Sequence, residues 1–79
     1  MKTEFEKRLS VVKREASREV KYFNDEISLM CRKALDNVKN QFELDLWYDY
    51  KISISRFSYN GDISMRKGAI EAFKVQFEI

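Results

Sequence analysis

The chain has 79 residues, a formal net charge of +2, 35% charged and 44% hydrophobic residues, two glycines, one cysteine, and neither proline nor histidine. A single cysteine excludes an internal disulfide framework, and without histidine no Cys/His zinc site can be built within the chain. A chain this short forms one domain, residues 1–79, that buries only about 60% of its unfolded surface, so self-association is an expected route to stability.

No apolar run approaches the ~20 residues of a membrane span. The opening Met-Lys-Thr-Glu-Phe-Glu-Lys lacks the apolar core of a signal peptide, so a cytoplasmic protein with no membrane partner is expected.

Thr3-Glu4-Phe5-Glu6 has the form of a capping box and predicts a helix start. Apolar residues then recur from Phe5 through Leu9, Val12, Ala16 and Val20, and on through Phe23, Ile27, Met30, Ala34 and Val38. Their period of about 3.7 residues predicts one amphipathic helix over residues 3–40, with Asn24-Asp25 as its weakest point.

At Phe42 the period changes to two. Phe42, Leu44, Leu46, Tyr48, Tyr50, Ile52 and Ile54 alternate with Glu43, Asp45, Asp49, Lys51, Ser53 and Ser55, which predicts a strand over 42–58 with one wet face. Asn60-Gly61, within a turn over 59–62, is a strong hairpin signal because a type I′ turn needs positive φ at both central residues. A second strand over 63–79 follows, bulged at Gly68, with a helix over about Ser64–Lys74 as the competing reading. The two-residue turn would set Leu44 opposite Phe77, Leu46 opposite Val75 and Tyr48 opposite Phe73.

The expected fold class is therefore α+β: one long N-terminal amphipathic helix packed on a long antiparallel β-hairpin, in α-β-β order. A lone two-stranded ribbon leaves both edges unpaired, so a homodimer joined through strand edges or helix faces is expected. A short link between helix and ribbon would set the start of the helix beside Asn60-Gly61, making that half of the molecule basic and the open half acidic.

Within the basic half, Lys7, Arg14, Arg18 and Lys21 lie on one helical line opposite the apolar seam. With Arg56, Arg66 and Lys67 near the turn they are the candidate nucleic-acid contacts, and Tyr22, Phe57 and Tyr59 are candidate stacking partners for bases. The plainer alternative is a solvated helix face paired with Glu15 and Glu19.

Trp47 falls on the predicted wet face with Asp45 and Asp49, opposite Lys74, and is a candidate protein-docking anchor. A Trp stacked over Lys74 or buried in a dimer interface are the alternatives. Without histidine, general acid–base chemistry is poorly supplied, and Cys31, about 60° from the helical seam, reads as a half-buried structural thiol. No enzyme, cofactor or metal is expected.

A Lys- and Glu-rich chain of fewer than 80 residues, with no proline, no histidine and a helix-then-ribbon plan, resembles the small early proteins that T4-like bacteriophages direct against host functions. The likeness covers the whole chain without a signature motif. It implies action in the host cytoplasm by occupancy, as in inhibitors of toxin–antitoxin ribonucleases that bind both RNA and the toxin. Basic contacts would then fall on the Lys7 to Lys21 row and on Arg56, Arg66 and Lys67. The expected function is RNA binding in a regulatory or inhibitory role, with a protein-only inhibitor or adaptor, docking through Trp47 and the acidic face or a sheet edge, as the alternative.

Overall fold

Thr3 opens the first helix as the capping pattern predicts. Its Oγ1 accepts the Glu6 N–H at 3.2 Å and donates to the Glu6 carboxylate at 3.2 Å. The computed structural model describes the backbone of residues 2–22 and 26–79, and the side chains of the same set without 19–22. From Thr3 the chain runs through α1 (Glu4–Tyr22), α2 (Glu26–Leu35), α3 (Gln41–Asn60) and α4 (Ile63–Phe77). No strand occurs among the described residues, so the expected α+β class is corrected to an all-helical fold. A dimer through strand edges is corrected with it.

The helix expected over 3–40 is two helices packed against each other, and its suspected weak point at Asn24-Asp25 lies outside the described residues. The seam survives over its described residues, Val20 and Phe23 lying outside the described side chains. Val12 and Ala16 on α1, Met30 and Ala34 on α2, and Val38 just beyond are all buried. A single straight helix of that span would be ~55 Å long and its seam would need a partner of equal length. Folding back lets both halves of the seam face one core, and Lys13 Nζ lies 3.5 Å from Asp36 Oδ1 across the hairpin.

The first expected strand is α3. Its start is capped by Asn40, extended at φ −155°, whose side chain accepts the Glu43 N–H at 2.9 Å. The Glu43 carboxylate in turn accepts the Lys39 N–H at 2.9 Å. Leu44, Trp47 and Ile54 are buried on this helix and Leu46 and Tyr50 pack against them, whereas Phe42 is 70% and Ile52 53% exposed. The period-two alternation thus mixed core residues with apolar residues facing water, and it set Trp47 on the wrong side.

Asn60-Gly61-Asp62 does reverse the chain, but between helices. Gly61 sits at φ 72°, and the N–H groups of Gly61 and Asp62 donate to Ser58 O at 3.3 Å and Phe57 O at 2.9 Å, which satisfies carbonyls at the end of α3. The Asp62 side chain then accepts the Met65 N–H at 3.2 Å and starts α4. The positive φ that a type I′ turn needs serves equally well as a helix stop. The competing helix over Ser64–Lys74 holds and extends at both ends, and Gly68 lies inside it without a bulge.

At its far end α4 is held by Asn37, in the loop between α2 and α3, whose Nδ2 donates to the Phe77 carbonyl at 2.7 Å. Phe73 and Phe77 are buried with centroids 4.9 Å apart, and the Tyr50 ring stands edge-on to both at 5.8 and 6.3 Å. Trp47 closes the core from the side of α2. Among the described residues no polar or charged side chain is buried, so apolar burial is the main stabilising term.

Candidate binding groove

Because α1 packs on α2, and both α2 and α4 pack on α3, an open groove remains where α4 faces the α1–α2 pair. Its volume is about 1030 Å³. The floor is apolar, made by Ile27, Leu29 and Met30 of α2, by Ile70 of α4 and by Ile79. Among the described residues five cations stand around it: Lys13, Arg32, Lys33, Arg66 and Lys74. The acids lining it, among the same described residues, are Glu26 and Asp36, and Asp36 is already paired with Lys13.

Arg66 is the best fixed of these. Its Nε donates to Ser58 Oγ at 2.7 Å, and that hydroxyl donates onward to the Ile54 carbonyl at 2.9 Å. One of the five guanidinium donors is thereby used to aim the other four. Arg66 and Lys74 are eight residues apart on one helix, so their attachment points are separated by ~12 Å along the groove.

The sequence-predicted sites are divided by this geometry. Lys7, Arg14 and Arg18 are exposed on α1, and Lys21 lies outside the described side chains. The ion pairs among the described residues are Arg8 with Glu4 and Lys13 with Asp36, so neither engages the row. Arg56 and Lys67 are exposed, while Arg66 is half-buried and belongs to the groove.

Two expectations are overturned. Arg8 Nη1 donates to Gln41 Oε1 at 3.1 Å, which sets the start of α1 beside the start of α3, at the other end of α3 from Asn60-Gly61. The basic pole argued from a helix start next to the turn is therefore not formed in that way. Trp47 is 1% exposed, its Nε1 donates to Cys31 O at 2.9 Å, and the cation over its ring is Lys51 at 5.2 Å rather than Lys74. It is a core residue, not an anchor for docking. Asp45 and Asp49 stay exposed, and Asp45 Oδ1 accepts from Gln41 Nε2 at 2.8 Å.

Of the expected stacking residues, Phe57 is half-buried, Tyr59 is exposed and Tyr22 lies outside the described side chains. Cys31 is buried rather than half-buried. Among the described residues no group of three or more Cys, Asp or Glu could hold a metal ion, and no helix is long and apolar enough to cross a membrane.

The comparisons return no relative. No family model matches the chain, and neither a curated protein nor a solved structure is detectably similar to it.

Sequence reasoning missed Lys13, Arg32, Lys33 and Lys74 as a group. They come from three helices and share no spacing in the chain, so only the packing of those helices gathers them around one floor.

Proposed function

We propose that the chain is a non-catalytic adaptor or inhibitor that captures an acidic amphipathic helix of a partner protein in the groove between α4 and the α1–α2 pair. The observation that carries this is the combination of five cations at the groove with a floor of five apolar residues. A helix with one acidic and one apolar face uses both, as in other helix-in-groove complexes. The floor supplies burial at roughly 25 cal/mol per Å², while the cations steer encounter and fix orientation. Among the described residues no aromatic side chain lines the groove to act as a platform for stacked bases.

RNA binding remains the second reading, through the α1 row. Its support is that Lys7, Arg14 and Arg18 are exposed and enter no ion pair with a described residue. The likeness to early phage proteins drew partly on a ribbon that the fold lacks. What is left of it, size and composition, supports occupancy of a target.

Affinity capture from cell extract, with and without ribonuclease, separates the two readings. The wild-type chain should retain a protein that survives ribonuclease, Arg32→Glu with Lys74→Glu should lose it, and Arg14→Glu with Arg18→Glu should keep it. Capture that persists in the groove variant and ends on ribonuclease treatment would reject the groove and support the row.

A further inference from the structure

The outer face of α3 carries a line of exposed apolar residues, of which Tyr48 also stands edge-on to the Trp47 ring at 5.2 Å. Tyr48, Ile52 and Tyr59 are 39%, 53% and 92% exposed, and at 100° per residue they lie within about 20° of one line along the helix. None of them lines the groove, so whatever covers this stripe acts independently of the proposed partner helix.

We infer that this stripe joins two copies of the chain, α3 against α3, antiparallel about Ile52. The charges beside the stripe select that occupant. Asp45 and Asp49 precede Ile52 and Arg56 follows it, all three on the same flank of the stripe at 100° per residue. A two-fold axis at Ile52 keeps each flank on one side of the pair and reverses its direction. Arg56, four residues past Ile52, then comes within ~1.5 Å along the axis of the level of Asp49 in the other copy, which lies three residues before it. Tyr59 and Asp45 are each seven residues from Ile52 and come to the same level, so the phenol faces a carboxylate.

Each contact occurs twice by symmetry, as an isologous interface requires. A parallel pairing would instead turn this flank of the two copies to opposite sides of the seam, so that Asp49 and Arg56 would not meet. The antiparallel pair is thus the arrangement in which Asp49 meets Arg56 twice along one side of the apolar seam, a charge pattern of the kind that fixes orientation in paired helices. Neither Asp49 nor Arg56 has an ion pair within the chain among the described residues, so both are available to it. A second copy would also add to the apolar burial of so short a chain.

Sedimentation equilibrium tests this. The wild-type chain should show twice its 9.5 kDa mass. Ile52→Glu, at an exposed position, should halve that mass without loss of helical circular dichroism. Asp49→Arg and Arg56→Asp should each weaken self-association about tenfold or more through two like-charge contacts per dimer. The two single variants mixed in equal amounts should associate with each other, and the double variant should recover wild-type association, because both restore opposite charges across the seam. A monomeric wild type, an Ile52→Glu chain that still dimerises, or single variants that show no mutual rescue would each overturn the assignment.

Discussion

Trp47 donates its indole N–H to the main-chain carbonyl of Cys31 at 2.9 Å, and this bond ties α3 to α2 through the middle of the core. A residue that looks like a docking anchor in the one-dimensional pattern is thereby a determinant of the fold. Trp47→Phe should keep most of the apolar contact and lose the hydrogen bond and part of the ring volume, at a cost of about 1–3 kcal/mol. Trp47→Ala should cost about 3–5 kcal/mol, enough to unfold a small domain outright. Urea unfolding monitored by circular dichroism measures both.

The two glycines should respond with opposite signs. Gly68 is inside α4 with nothing within 4 Å of the position of an added Cβ, so Gly68→Ala should stabilise the chain by up to ~1 kcal/mol. Gly61 also has open space, but its φ of +72° strains any L side chain, so Gly61→Ala should destabilise by roughly 1 kcal/mol. A β-bulge at position 68 would reverse the first sign, which makes thermal melts of this pair a direct check on the helical assignment.

The caps of α3 and α4 are exposed side chains that can be removed without opening a cavity. Asn40→Ala and Asp62→Ala should each cost about 1 kcal/mol by leaving a first-turn N–H without its acceptor. Asn37→Ala should cost a similar ~1 kcal/mol by releasing the carbonyl of Phe77, and hydrogen exchange should then rise in the last turn of α4. Loss of less than a few tenths of a kcal/mol in all three would contradict the capping geometry.

Ser58 acts on the groove at one remove, by holding Arg66. Ser58→Ala should lower the affinity for a synthetic acidic amphipathic peptide several-fold, and Arg66→Gln should lower it further, with folding stability changed by less than about 1 kcal/mol in either variant. Affinity should also fall as salt is raised from ~0.05 to ~0.5 M, because the groove cations are exposed to solvent on one side. Calorimetric titration distinguishes this from a purely apolar docking surface, whose affinity would hold or rise with salt.

Much of the local punctuation was legible in the chain. The Thr3 to Glu6 box, the described parts of the seam, Phe5 to Ala16 and Ile27 to Val38, and the reversal at Asn60-Gly61 each depend on residues a few positions apart, and each stands where the sequence pattern places it. The Asn40 to Glu43 cap is equally local, but a cap fixes only a first turn and does not by itself set the period of the residues that follow.

By itself, then, the sequence determined where helices start, where the chain reverses and which face of the first segments is apolar, because caps, turns and seams are short-range effects of backbone hydrogen bonding and side-chain spacing. Only the tertiary structure decided between strand and helix over 42–79, since Leu44, Tyr50 and Ile54 satisfy both periods and the difference lies in whether Trp47 faces water or the core. It also decided where the cations meet. A groove drawn from α1, α2 and α4 depends on how helices pack, and burial of Trp47, Phe73 and Phe77 in one shared core sets that packing.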